Sequence, residues 1–514
     1  MITKPPVFLR EATGLRKNAS LFDAIALNIS NMSAGVALAS IGYTTILLPT
    51  MSGVNLIYGS LIAFALSIPQ IIVYTMLSTR IPRTGGDYVW LSRLTPGWYG
   101  SIMTFAGWTM GNMPYFSLVA ISTVFAIGSV GSLLGYASLT PLSIPSNSAG
   151  SAPVLQFIIG FVIITVFVAI NVFKPKAGFK FVSVLTIMGA FGIVLAILSL
   201  VIGGQTGVIN YMNSLHASGA NETYTSLANS YSGPTFDLHN TLFALPFFAV
   251  FIYPYLNAGP AVSSELKNER TRRFNVAIGA CAIFAFVTLS FGAMYYAGGY
   301  NFVTAALSNS DMVYTYSFNF WTMAIGASSS VVLQWVIGIF WVAWDFAIIA
   351  YLAIVMSRYL MAQAFDRFLP SAIAYVSDRG SPVYALLVEY AIGVAMMAGV
   401  IAFYGTLVAL YGTAALGMLF FASVGVAAAL YGYRKEKGRT KAIMIIAGTV
   451  TAIVFLFYDY MFVAYASIWG GNILAYGYNA GAVIFGIIIY ILSKRYHAKR
   501  GLDISLVFKE IPPE

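Results

Sequence analysis

The stretch FFAVFIYPYLNAGPAVSSE, Phe247 to Glu265, decides how this chain is read. It lies in an apolar run long enough to cross a membrane. Its middle, Tyr253 to Pro260, nevertheless holds two prolines, a glycine, an asparagine and two tyrosines. Proline removes a backbone donor and clashes with the preceding turn, so a continuous helix is not expected there. In hydrocarbon each orphaned backbone group costs several kcal/mol. Such a break must therefore face protein or a water-filled cavity.

The composition agrees with a membrane setting. Of 514 residues, 59% are hydrophobic and 9% charged; soluble domains are nearer a quarter charged. Mean hydropathy is +0.81. A single cysteine, Cys281, excludes an intramolecular disulfide and is expected to be inert packing. His216, His239 and His497 lie outside the spans and do not cluster, which argues against a metal site. No cofactor is expected.

A bilayer core about 30 Å thick takes about 20 apolar helical residues. Twelve such spans are read, at 21–48, 54–78, 98–130, 153–173, 181–203, 241–263, 275–298, 331–360, 383–403, 406–432, 441–464 and 472–493. All 27 lysines and arginines fall in the two tails, in alternate connections or, for Arg358, at the adjoining end of span eight. The other connections are rich in Ser, Thr, Asn and Tyr. This is the positive-inside pattern, and it places both termini in the cytoplasm. The basic residues are dispersed and topological, so the net charge of +10 does not signal nucleic acid binding.

A second interruption matches the first. Span one reads AIALNISNMSAGVALASIGYTTILLP, with Asn28, Ser30, Asn31, Ser33 and Gly35 near mid-depth. Spans one and six each open a set of five. Interruptions at corresponding places in two halves point to an inverted repeat with a central site. Half-helix N-termini offer donors to a carboxylate, and half-helix C-termini offer carbonyls to an ammonium. A zwitterion such as an amino acid suits both. Trp108, Asn112 and Tyr115 follow at helical spacing on span three and share a face that would wall such a site.

Three segments carry a family resemblance. IPRTGGDYVWLSR (Ile81–Arg93) resembles the loop after the second helix of the amino acid–polyamine–organocation (APC) superfamily. MSRYLMAQAFDRFLP (Met356–Pro370) is similar to its segment ending helix eight, and SSELKNERTRRFNVAI (Ser263–Ile278) to the stretch after helix six. The resemblance covers about residues 20–435. It implies a five-plus-five inverted-repeat core, alternating access and substrates among amino acids and related amines. By position, Ser33, Ala34 and Gly35 match the motif that binds substrate carboxylate through backbone N–H. Tyr253, Pro254 and Tyr255 match the unwound stretch whose carbonyls take the amino group. Two departures stand out. Met32-Ser33 precedes Ala34-Gly35, and Tyr255-Leu256-Asn257 stands where relatives often have Gly-Phe-Glu. The pocket is then bulkier, and an acid is replaced by an amide.

Few ionisable residues lie within the spans. Asp345, mid-way along span eight, carries an insertion cost of about 2.5–3.5 kcal/mol, and is the candidate for proton or ion coupling. Glu389 on span nine is read as structural or interfacial, Asp23 as a cap of helix one or a partner of a cytoplasmic basic residue, and Asp459 as solvated. Sodium-coupled relatives place hydroxyls on helix eight, where this chain has Ala347-Ile-Ile-Ala350, so Na+ is less expected than H+. Span five has no lysine beyond Lys180.

The sequence thus reads as an all-α integral membrane protein with about 12 spans. A five-plus-five core has discontinuous helices one and six, with two extra helices. The expected division is an N-tail (1–20), a first repeat (21–203), an outer loop (204–240), a second repeat (241–432), helices eleven and twelve (433–493) and a C-tail (494–514). The expected function is secondary active transport of an amino acid or related amine across the plasma membrane. A passive channel and a non-transporting sensor are the rival classes. An enzyme is not expected, because no nucleophile–base pair lies at mid-depth.

Overall fold

The computed structural model describes residues 19–511. Lys4, Arg10, Arg16 and Lys17, part of the charge pattern, fall outside that range. Among the described residues there are eleven helices long and apolar enough to cross a membrane. The sixth position is filled differently. The span read over 241–263, with its expected break at Tyr253–Pro260, is a short helical segment, Leu238–Phe251, then an irregular stretch, then the single turn Ala258–Ala261. The twelve expected crossings are thus eleven long apolar runs, the first of them interrupted at Met32 and Ser33, and the divided sixth.

Local chemistry explains most helix ends. Ser20 and Asp23 cap the first helix reciprocally, and Ser183 Oγ also donates to Asp23 at 2.8 Å. Pro153 and Pro175 open the fourth and fifth spans, where their missing N–H is not needed. The fifth span, expected over 181–203, lies in the helical stretch Pro175–Ala217, which is two helices joined across a kink. It bends at Gly204, whose φ of 51° lies in the region that favours glycine. Much of the connection 204–240 is therefore helical. The connection 299–330 likewise folds into Tyr300–Ser308, Ser310–Tyr314 and Phe320–Ala327. In the third span, Thr104–Met110 is wound as a π-helix.

Burial sorts the helices into centre and periphery. The most apolar window of the first span is 94% buried within the protein, against 17% for the twelfth. On the fourth span, Val154, Ile158, Phe161, Val162 and Val166 point outward, while Gln156, Gly160 and Ile164 pack inward. Apolar residues outside and small or polar ones inside is the pattern expected of a helix facing lipid. Cys281 shares this outer surface: it is exposed on the seventh span rather than packed inside as expected.

The polar residues of span one tie it to its neighbours. Asn28 Nδ2 donates to Asn275 at 2.7 Å, and Asn28 Oδ1 accepts the Gly259 amide at 2.9 Å. Ser30 bonds Thr186 at 2.7 Å. Side-chain hydrogen bonds between membrane helices are worth about 0.6 kcal/mol on average and up to about 2. The group as a whole holds the first helix against the fifth, sixth and seventh.

On the face that carries the basic connections, the loop after span two docks on the second half of span six. The Gly85 amide donates to Ala261 O at 2.9 Å, and Thr84 and Val262 form an isolated β-bridge. A Cβ on Gly86 would lie 2.8 Å from the Pro260 carbonyl, at a φ of +39°. Gly86→Ala is therefore expected to destabilise the protein by at least about 1–2 kcal/mol, the cost of an L-residue in that region. It should lower the melting temperature in detergent, and an unchanged melt would show that the loop yields freely.

Candidate functional site

Two interruptions meet at the centre. The first helix ends at Asn31 and restarts at Ala34, leaving Met32 and Ser33 between. The amides of the restarted first turn, Ala34 to Val36, have no partner four residues back in that turn. The Gly35 carbonyl accepts Trp321 Nε1 at 3.0 Å. Gly35 is needed for close approach: a Cβ there would lie 2.4 Å from the Trp344 ring. In the sixth span, Ile252 leaves helical geometry with φ −118° and ψ −90°. Order resumes at Ala258.

A hydrogen-bonded chain of side chains joins the two breaks. Asn31 Nδ2 donates to Asn257 Oδ1 at 3.0 Å, and Asn31 Oδ1 accepts from Tyr351 Oη. Asn257 Nδ2 donates to Asp87 at 3.0 Å and to Tyr359 Oη at 3.0 Å. Tyr74 and Tyr359 also donate to Asp87. All six side chains are buried.

Beside this chain lies a small cavity of about 20 Å³, room for one water. Trp108, Asn112, Tyr115, Tyr255, Thr413 and Phe421 are among its walls. Tyr115 and Tyr255 stack with ring centres 5.8 Å apart, and Trp108 lies 6.0 Å from Tyr255. Tyr115 Oη donates to Ser33 Oγ at 2.9 Å, which connects the aromatic wall to the break in helix one.

The residues named from sequence divide into three groups. Trp108, Asn112, Tyr115 and Tyr255 line the cavity. Asn31, Ser33, Ala34, Gly35 and Asn257 lie in the adjoining breaks but do not line it. Tyr253 and Pro254 turn away: the Tyr253 hydroxyl bonds Ser60 at 2.7 Å, and the Pro254 carbonyl accepts Gln70 Nε2 at 2.8 Å. That carbonyl is occupied here by span two. Asp345 is fully buried, with Ser122 Oγ donating to Oδ2 at 3.3 Å and Oδ1 without a hydrogen-bond partner.

Sequence reading missed Asp87, Tyr74, Tyr351 and Tyr359 as members of the network. It also missed the ion pair of Glu265 with Arg358, at 3.1 Å with both side chains buried. Glu265 and Arg358 each sit in a segment singled out above, which was the available signal. Among the described residues no cluster of His, Cys, Asp and Glu could hold a metal ion.

Comparison with known proteins supplies the family. A curated viral protein, "Uncharacterized protein 399" of Sulfolobus islandicus rod-shaped virus 1, is 29% identical over 82 residues. The match covers 16% of this chain and spans one fifth of that relative's length. A family model described as "Amino acid permease" matches residues 20–492. With nearly the whole chain matched and eleven helices among the described residues long and apolar enough to cross a membrane, the protein belongs to the amino acid permease family of the APC superfamily.

Proposed function

We propose that the chain is a secondary active transporter that moves an amino acid or related amine across the plasma membrane by alternating access. In this reading residues 21–203 and 241–432 form the two inverted repeats, 433–493 the added pair of helices, and 204–240 an outer loop. The basic face and both tails are cytoplasmic. The observation that carries the reading is the meeting of the breaks in spans one and six through Asn31 and Asn257, beside the wall of Trp108, Tyr115 and Tyr255.

The chemistry follows from these parts. Amides at Ala34 and Gly35 suit a carboxylate. The carbonyls that end the outer half of span six suit an ammonium. Tyr255 and Trp108 present ring faces that favour a cation or an apolar side chain. A cavity of about 20 Å³ cannot hold an amino acid, so loading requires the surrounding helices to part. Tyr115 is the residue to watch, because it touches both the break and the aromatic wall. Asp345 is the candidate to carry a coupling proton within the spans.

The test is counterflow of labelled amino acids in proteoliposomes. A thermal-shift screen of amino acids and amines would choose the substrate, since a ligand at 100 times its Kd stabilises by about 2.7 kcal/mol. Saturable counterflow is expected. Ohmic flux without saturation would replace the reading with a channel, and binding without flux with a sensor. Asp345→Asn is expected to abolish accumulation driven by a proton gradient while leaving counterflow; intact proton-driven uptake would remove Asp345 from that role.

A further inference from the structure

Asp87 lies in the helix Asp87–Leu94, between the second and third spans and outside both. It is fully buried. Oδ2 accepts Tyr74 Oη at 2.8 Å and Asn257 Nδ2 at 3.0 Å, while Oδ1 accepts Tyr359 Oη. Among the described residues no lysine or arginine forms an ion pair with it. The charged and titratable groups of the surrounding elements are otherwise engaged. Arg93 of the same helix pairs with Asp366, and Arg358 pairs with Glu265. Arg434 reaches Leu94 O at the far end of the helix, Tyr99 bonds Ser423, and Lys509 is exposed. Only the phenols of Tyr74 and Tyr359 face the carboxylate.

A buried carboxylate with three donors and no counter-charge is costly to keep ionised. Burial pushes the Asp87 acid form up to about 6, although Tyr359, Tyr74 and Asn257 each stabilise the anion and pull the other way. The three donors come from span two, span eight and the break in span six. Asp87 therefore ties these three elements together on the basic face. If those elements separate, water reaches the carboxyl and its affinity for a proton returns to that of an ordinary aspartate, near ~3.9.

We propose that Asp87 is a proton-binding site of the closed basic face, and that its proton passes to water on that side when Tyr74, Tyr359 and the break in span six move apart. The proposal rests on the alternating-access reading and is separate from any role of Asp345. Its sign follows from linkage. The closed arrangement binds the proton more tightly than the open one, so acid favours closure. Closure by this route is fullest below about pH 4, and declines as pH rises through about 6. A substrate entering from the opposite side would travel with this proton and be released with it.

Hydrogen–deuterium exchange of the peptide covering 254–262, corrected for intrinsic chemistry, tests this without knowledge of the substrate. In the wild type, protection should fall several-fold as pH is raised from 5 to 8. Asp87→Asn, which cannot ionise, should stay protected with a flat profile. Tyr74→Phe removes one donor to the anion and should move the midpoint to higher pH. The proposal is overturned if Asp87→Asn keeps the wild-type profile, or if Tyr74→Phe leaves the midpoint in place or lowers it. Should Asp87→Asn show no cooperative melt, Tyr74→Phe alone decides. Counterflow run in parallel keeps the two readings apart. Exchange of an amino acid with a profile indifferent to Asp87 sinks only the proton site. Loss of exchange for every substrate sinks the transport reading, while the profile still reports on Asp87.

Discussion

Arg358→Met is expected to lower stability by about 3–5 kcal/mol, the usual cost of leaving one member of a buried ion pair alone. Arg358 Nε donates to Glu265 Oε1 at 3.1 Å and Nη2 to Oε2 at 3.4 Å. The same guanidinium lies over the Phe179 ring at 5.7 Å. Removing it strands a carboxylate that is 7% exposed. Arg358→Lys should recover little, because an ammonium cannot match the planar fork or stack on the ring. The double variant Arg358→Met with Glu265→Met should recover most of the loss, since it removes both members of the buried pair. Thermal melts of the three variants in one detergent check this, and a double variant no better than Arg358→Met would show that packing rather than charge dominates.

Asn257→Ala should reduce uptake at least tenfold. The amide makes three hydrogen bonds that join Asn31, Asp87 and Tyr359. Alanine leaves Asn31 Nδ2 without this acceptor and takes a donor from Asp87; each unsatisfied buried group costs about 1–3 kcal/mol. Asn257→Asp is the sharper variant. Its carboxylate would stand in place of a group now 3.0 Å from Asp87. Two carboxylates at that distance cannot both ionise. Uptake should then be poorest at pH 8 and partly restored at pH 5, whereas Asn257→Ala gains nothing comparable from acid. Equal profiles for the two variants would show that Asp87 does not feel position 257.

The membrane helices were legible because the bilayer imposes one rule on every span: about 20 apolar residues with the backbone satisfied internally. The division of span six was legible for the same reason, since Tyr253–Pro260 violates that rule. The ends were harder. The fifth span begins at Pro175 rather than 181, and beyond the kink at Gly204 a second helix runs on to Ala217. Partners were harder still. That Asn31 would meet Asn257, or Glu265 meet Arg358, depends on contacts 226 and 93 residues apart in sequence. Local pattern carries no such information. Asp87 went unassigned because a loop carboxylate is ordinarily solvated, and only the packing of span eight and the sixth-span break over it removes the water. Cys281 was misplaced because apolar surroundings in sequence do not distinguish a core from a lipid-facing surface.

The π-wound segment Thr104–Met110 has a mechanical consequence. A π turn carries more residues than an α turn, so the third span holds slack in its winding. Passing one residue of that slack along the helix would rotate the side chains it crosses by about 100° while both ends stay anchored. Trp108 sits inside the segment, against Tyr255 and Phe420. The indole can therefore be turned by rewinding a single turn, without dragging the rest of a 37-residue helix through its neighbours.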